Sequence, residues 1–238
     1  MNALPKFDQF NFPTFFVGGF VRDHFMGVKS KDVDLVMVAP DFATLESEIE
    51  RVGGEIFQAR PEFLVARANV PNIGPVDFAL PRTDGDYNDG RRPESTSIAD
   101  SIETDLSRRD FTMNAVAVNV ATHEVVDPFN GKADALNGVL AAVGDPTARF
   151  NEDALRAFRA LRFKVTKNMV FDVTLKNALV NANMFDFSGV SGERIREELL
   201  KMFRHSSLDS FDLLFNRFPF LGELVIAHGI WFEPTVRK

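Results

Sequence analysis

Residues 14–38 read TFFVGGFVRDHFMGVKSKDVDLVMV, and this stretch decides the fold. Thr14 to Val17 is a β-type run halted by Gly18-Gly19, after which Phe20 to Met26 has helical character. Val33 to Val38 is a second strand. Strand, glycine pair, helix is one way to hold a phosphate. The glycines let backbone N–H groups approach the anion, and the helix N-terminus adds its partial positive charge. Arg22 falls in the first turn, where a guanidinium can bind phosphate oxygens bidentately. Asp32 and Asp34 are two apart on the second strand, so both carboxylates leave one face while Val33 turns to the core. Two like charges that close repel unless a cation stands between them. Oxygen-only ligands favour Mg²⁺, with the remaining positions left to water and substrate phosphates. Asp77, on the run Val76 to Leu80, offers a third carboxylate from a neighbouring strand. Three carboxylates, two metals and a triphosphate are the parts of an in-line nucleotidyl transfer.

Outward from this stretch, the first half alternates short apolar strands with helices. A helix is predicted from Asp41, its cap, to Val52, with strands at 55–58, 63–69, 76–80 and 115–120. The polar segment 82–97 (RTDGDYNDGRRPESTS) reads as a long loop. Beyond Asp145-Pro146 the period turns helical: 152–165, capped by Asn151, then 172–183, 191–204 and 208–218. The expected organisation is therefore a head over 1–145, a mixed sheet with helices, and an all-helical part over 146–238.

Composition narrows the chemistry. Of 238 residues 45% are apolar and 26% charged, which suits one large or two small folded domains. With no cysteine, a disulfide framework, a thiolate zinc site and a Cys nucleophile are all excluded. The balance of 27 basic against 34 acidic residues, net −7, argues against a polybasic coat while leaving room for a local basic groove. No run approaches a membrane span, and Met1 to Phe16 carries one Lys and no small-residue cleavage site. No signal peptide, no membrane and a reducing, cytoplasmic setting are expected. Phe accounts for 25 of the aromatics, against one Trp and one Tyr, and is expected mostly as buried filler. Phe203, Phe211, Phe215, Phe218 and Phe220 are predicted to form a helical core seam. Asp84 to Gly90 imitates a calcium loop, but Asp89 stands where Gly is needed and Ser95 where Glu is needed. His24, His123, His205 and His228 have no metal-ligand spacing.

In order along the chain, Gly18-Gly19-Phe20-Val21-Arg22-Asp23, Asp32-Val33-Asp34 and Arg108-Arg109-Asp110-Phe111-Thr112-Met113-Asn114-Ala115 resemble the class II tRNA nucleotidyltransferases. These comprise the CCA-adding enzymes and their bacterial poly(A) polymerase relatives. The likeness runs on through Asp127 to Gly131, Glu152 to Arg156, Arg159, Arg162-Phe163 and Ser191 to Ile195, and Tyr87 to Pro93 is similar to the family's mobile loop. The resemblance implies a polymerase-β-like nucleotidyltransferase head followed by a helical neck. It implies that Gly18, Gly19 and Arg22 contact the triphosphate, that Asp32 and Asp34 hold Mg²⁺, and that Asp77 takes the third carboxylate's place. Arg109, with Asp110 and Asn114, would contact the incoming nucleotide. Asp153 and Arg156 would read its base, and Arg159 and Arg162 would line its pocket. ATP and CTP are the implied substrates and a tRNA 3′ end the acceptor, with poly(A) synthesis, partial CC- or A-addition, or a non-catalytic RNA-binding remnant as alternatives.

Base reading also follows from chemistry. Asp153 and Arg156, at i and i+3 on the predicted helix, would share a face. Asp only accepts and Arg only donates. Cytosine and adenine each present an amino donor beside a ring-nitrogen acceptor, whereas uracil and guanine present the reverse, so an Asp/Arg pair favours C and A. Family members usually continue into a helical body and a tail that grips tRNA, and this chain ends at Lys238. RNA is therefore expected to be held by a few cations, Arg91, Arg92, Arg194, Arg196 and Lys201 among them. Apolar surface around Phe211 to Trp231 is expected to pair with a second copy, making a homo-oligomer.

Overall fold

The computed structural model describes residues 4–7, 10–30, 32–85 and 96–230. The Tyr87–Pro93 loop, Arg91, Arg92, Trp231 and most of the calcium-loop imitation lie outside them. The chain divides into two compact units, residues 1–86 with 93–144 and residues 87–92 with 145–238.

The first unit is built on a mixed sheet, seven-stranded among the described residues, in the order β3-β4-β5-β2-β1-β8-β9. Its strands are β1 (Thr14–Phe16), β2 (Val33–Met37), β3 (Glu55–Arg60), β4 (Val65–Val70), β5 (Gly74–Ala79), β8 (Ala117–Asn119) and β9 (Val125–Val126). Only β2 and β5 pair in parallel; the other neighbours are antiparallel. β1 is buried throughout, and the Phe16 ring stacks on Phe20 of α1 (Gly18–Phe25) with centroids 5.1 Å apart. Burying each such side chain contributes about 1.5–3 kcal/mol. α2 (Phe42–Arg51) starts where Asp41 accepts the Thr44 N–H at 2.7 Å and buries Leu45 and Ile49.

Two elements differ from the sequence expectation here. The flanks of the polar segment 82–97 pair as a hairpin, β6 (Arg82–Asp84) with β7 (Thr96–Ile98), because Thr83 and Ser97 can bond across the strands. α3 (Ile102–Ser107) was hidden among polar residues: Ser101 accepts the Thr104 N–H, and only Ile102, Asp105 and Leu106 turn inward.

The stretch Asp127 to Gly131 is a clamp. The Asp127 carboxylate accepts the N–H groups of Gly131 (2.7 Å) and Lys132 (3.0 Å), opening α4 (Gly131–Asn137). Thr112, in the 3-10 turn Thr112–Asn114, donates its hydroxyl to Asp134 at 2.6 Å. The helix lies so near this turn that a Cβ on residue 131 would stand 1.9 Å from the Thr112 carbonyl oxygen.

The second unit is helical: α5 (Pro146–Glu152), α6 (Leu155–Thr166), α7 (Val173–Val180), α8 (Gly192–His205), α9 (Ser207–Phe211) and α10 (Pro219–Ala227). α6 and α8 pack together, burying Phe158, Leu161, Ile195 and Leu199. The predicted helix over 152–165 is in fact two. α5 begins earlier, at Pro146 behind an Asp145 cap, and Asp153 is extended between the helices. Asp is a poor helix-interior residue and a good cap, and here its side chain accepts the Leu155 N–H at 3.1 Å. The predicted Phe seam forms only in part, with Phe218 buried and Phe203, Phe215 and Phe220 half-buried. A π-turn over Asp212–Arg217 shifts the register so that Leu213, Leu214 and Phe218 turn inward while Phe211 is 55% exposed. Nor is all the Phe filler, since Phe57 and Phe63 are exposed as well.

Gly131→Ala tests the clamp. The added methyl must displace the Thr112–Asn114 turn, and we expect about 3 kcal/mol or more lost in urea unfolding. An unfolding midpoint unchanged from the parent would show that the turn has room to move.

Candidate active site

A row of polar side chains crosses the sheet. β2 and β5 place Asp34 opposite Asp77, β4 places Arg67 opposite Asp77 on its other flank, and β3 places Gln58 opposite Arg67. Such cross-strand partners share a face and lie within side-chain reach. The N–H of Val17 donates to the Asp34 carbonyl at 3.0 Å, which brings the start of α1 to the end of the row. Gly18 there has φ +64°, and a Cβ would lie 3.2 Å from Arg109 Nη1 and 3.5 Å from Asp34 Oδ2. A side chain would be strained by the backbone and would crowd both groups, so glycine is required twice over. Gly18, Asp34, Asp77, Arg67 and Arg109 line one cleft of about 560 Å³, together with Arg60, Asp105 and Arg108.

The electrostatics centre on Asp34. Burial first, then the Asp77 carboxylate and Asp32, push its carboxyl up to about 6, against the pull of Arg109 and Arg22. Asp77 accepts from Arg67 Nε at 2.5 Å. Asp32 is exposed, just ahead of β2, and is not among the cleft-lining residues. A divalent cation fits this donor set. The ligands are all oxygen, and the charge that Asp34 resists carrying alone is the charge a cation would neutralise. Among the described residues no three carboxylate or imidazole side chains stand close enough to form a ready-made cage. The remaining positions would fall to water and substrate oxygens.

Asp105 is the residue that the sequence reading missed. Its side chain is 1% exposed and takes Arg108 Nη2 at 2.6 Å and Arg109 Nη2 at 2.7 Å. Burial alone would raise its carboxyl, but Arg109 and Arg108 hold it below the ordinary carboxylate range. The signal was available, since Asp105 precedes the two arginines by three and four residues on a helical face. A second network lies beside the cleft. Arg22, 8% exposed, donates to Asn114 Oδ1 at 2.8 Å and to Asp23 Oδ1 at 2.9 Å. Asn114 Nδ2 donates to Asp110 Oδ1 at 3.0 Å, and Arg109 Nη1 to the Asn114 carbonyl at 3.2 Å. Of the first unit's expected nucleotide residues, Gly18 and Arg109 line the cleft. Gly19, Arg22, Asp110 and Asn114 do not, and the last three tie α1 to the Thr112–Asn114 turn.

In the second unit the expected base readers belong to separate pairs. Asp153 is ion-paired with Arg194 (2.7 Å) and Arg156 with Glu152 (2.6 Å). The shared helical face expected for Asp153 and Arg156 is not formed, because Asp153 stands outside α6. Buried Glu198 takes Arg162 and, at 3.9 Å, Arg159, while the Arg162 guanidinium lies 3.9 Å over the Phe163 ring.

Residues 14–141 match the model of the Poly A polymerase head domain. A CCA-adding enzyme of Staphylococcus epidermidis is 33% identical over 232 residues, 94% of this chain and 56% of that protein. The crystal structure of Bacillus stearothermophilus CCA-adding enzyme in complex with CTP superposes with a TM-score of 0.73 at 26% identity, covering 92% of this chain and 53% of that one. A tRNA nucleotidyltransferase complexed with a primer tRNA and an incoming ATP analog gives a TM-score of 0.73 at 26% identity, covering 93% of this chain and 61% of the other. The chain spans about half the length of the curated relatives it matches.

The raised Asp34 carboxyl has a sign that can be tested. In the folded state it holds its proton to about 6, against 3.8 ordinarily, so stability falls as pH rises between those values and the penalty is complete above about 6. In EDTA at pH 7.5, Asp34→Asn should be more stable than the parent by about 2 kcal/mol, with the difference shrinking toward pH 4. Adding a divalent cation at pH 7.5 should stabilise the parent and leave the variant unmoved. Urea unfolding at the two pH values measures both.

Proposed function

We propose a function on a plain premise: the chain belongs to the Poly A polymerase head-domain family. The reading is a template-independent nucleotidyltransferase that adds CMP and AMP to a tRNA 3′ end, using CTP and ATP, in the cytoplasm. Its head is taken as residues 1–145 and its helical neck as 146–238. One observation carries the proposal: Asp34 and Asp77 are in register on parallel strands, with Gly18 and Arg109 beside Asp34.

The RNA 3′-hydroxyl attacks the α-phosphate, a new phosphorus–oxygen bond forms, and the bond to pyrophosphate breaks. Asp34 and Asp32, with Asp77, would hold Mg²⁺, which when bound supplies neutralisation of phosphate charge and a more acidic hydroxyl. Gly18 and Gly19 present backbone N–H groups at the start of α1 to the triphosphate. Arg109 binds nucleotide oxygens in the orientation Asp105 imposes on its guanidinium, and Arg22, Asp110 and Asn114 fix the turn whose Asn114 carbonyl accepts from Arg109 Nη1. Asp153 and Arg156 read the base, with Arg159 and Arg162 lining its pocket. The ion pairs to Arg194 and Glu152 support that role, since each locks one reader's orientation. No covalent enzyme intermediate is involved. Exposed Leu208, Phe211 and Ile226 are the surface on which pairing with a second copy would rest.

Incubation with a tRNA lacking its 3′ CCA and each labelled nucleotide separately tests the proposal. Addition of C and then A supports it. Long adenylate tracts would instead assign poly(A) synthesis, and C alone or A alone a partial activity. Asp32→Asn or Asp34→Asn should lower addition by at least ~10³-fold, roughly 4 kcal/mol of transition-state stabilisation, with the fold retained. Wild-type-like turnover in either variant rules out the carboxylate assignment.

Asp153→Ala and Arg156→Ala should disturb nucleotide choice more than triphosphate affinity, because phosphate binding is assigned to Gly18, Gly19 and Arg109. Arg22 is left out of that assignment because it supports the Thr112–Asn114 turn, and competition among all four nucleotides is the measurement. An undiminished preference for CTP and ATP over UTP and GTP would remove the base-reading role.

A further inference from the structure

The edge of the sheet carries a group of side chains to which the proposed chemistry gives no task. β3 departs from regular pairing between Ile56 and Gln58, so Phe57 is the extra residue of a β-bulge. Bulges re-aim side chains, and this one leaves Phe57 58% exposed on an edge strand. The guanidinium of Arg67 lies 5.9 Å from its ring centroid. Beside it, Gln58 turns its amide oxygen to accept both Nε and Nη2 of Arg60 at 2.9 Å. Arg60 has no carboxylate partner among the described residues. Gln58, Arg60 and Arg67 all line the cleft that holds Asp34 and Asp77.

We infer that Phe57, Arg60 and Arg67 form a subsite for single-stranded nucleic acid, and that its occupant is the RNA strand entering the cleft. The inference rests on the nucleotidyl-transfer reading above. An exposed aromatic face takes an unpaired base by stacking whatever its identity, and flanking guanidiniums take the phosphodiesters on either side of it. Gln58 holds the Arg60 fork in place, so less freedom is lost when a phosphate binds. Arg67 already lies over the ring, so a base stacked there and the phosphate beside it would meet the same two side chains. The Arg67–Asp77 ion pair adds direction. Asp77 cannot serve Arg67 and a cation fully at once, so a carboxylate drawn toward a cation leaves a guanidinium for the strand beside it. An incoming triphosphate is the competing occupant of a basic cleft wall. It brings no second π-face along a backbone, and the Gly18 and Arg109 side of the cleft is assigned to it.

The test is anisotropy titration of a short 5′-fluorescein-labelled single-stranded RNA ending in 3′-CC, over a salt series, with CTP affinity measured separately. Phe57→Ala should weaken RNA binding about tenfold, and Phe57→Trp should restore it. Arg60→Ala and Arg67→Ala should each lower the slope of log affinity against log salt by about 0.7, with Arg60→Ala the cleaner arm because it uncovers no carboxylate. CTP affinity should change less than about twofold in all of them. RNA binding like the parent's in Phe57→Ala and Arg60→Ala overturns the inference, as does an equal loss of RNA and CTP. If the parent adds no nucleotide to tRNA yet Phe57→Ala still weakens RNA binding, the subsite stands and the proposed function falls. If the parent adds nucleotides and these variants leave the acceptor KM unchanged, the function stands and the subsite falls.

Discussion

Two carboxylates opposite one another on parallel strands are the constraint around which the first unit is arranged. Asp34 and Asp77 sit in register, and nothing in the pleat can separate them. Their charges are unequally answered. Asp77 has a guanidinium at 2.5 Å, whereas Asp34 is more deeply placed and feels Arg109 and Arg22 only through their charges. Burial first, and then the neighbouring Asp77 charge, raise the Asp34 carboxyl to about 6. The surrounding devices follow from it. Gly18 leaves room for Arg109 beside Asp34, Asp105 anchors Arg109 from behind, and Asn114 links Arg109 to Arg22.

What could be read from the chain was local. Thr14 to Val17, the glycine pair and the helix after it are legible because residue type changes sharply at each boundary. Asp34 is legible as a strand residue because it sits in the apolar run Val33 to Val38, whereas Asp32, expected on the same strand face, falls just ahead of β2. The register of Asp34 with Asp77 was not legible, since parallel pairing joins strands some forty residues apart and no local preference specifies the offset. Arg67 was missed for the same reason: it matters only once β4 is laid against β5. Asp105 was a different omission, a local pattern overlooked beside more conspicuous arginines. In the second unit, helical periodicity survives the break at Asp153, because α5 and α6 both present apolar residues at helical spacing. A period cannot show that one residue between two helices has gone extended.

Several stretches that carry the family resemblance turn out to hold the architecture. Asp127 to Gly131 brings a helix against the Thr112–Asn114 turn and is not itself part of the cleft lining. Arg22, Asp110 and Asn114 engage one another inside that same support. Within that support the Asn114 carbonyl, together with Asp105, holds the Arg109 guanidinium in place. A misplaced guanidinium forfeits much of its advantage over a freely moving cation, because bidentate binding depends on the plane of the fork.

The same reasoning separates the two walls of the cleft. On one, Arg108 and Arg109 are fixed by a carboxylate only 1% exposed, so little of that pairing is open to competition from whatever fills the cleft. On the other, Arg67 is paired with a carboxylate that also faces the cleft, both partners about two-fifths exposed, so their pairing is open to competition. A buried partner makes a scaffold and an exposed partner makes an exchangeable one, because solvent and ligands can replace only contacts they can reach. Under the proposed function, a rigid wall suits the triphosphate, whose reacting atom must be placed to a fraction of an ångström. An exchangeable wall suits a strand that must advance after each addition, since an ion pair re-forming with Asp77 offsets the phosphate contact that is given up.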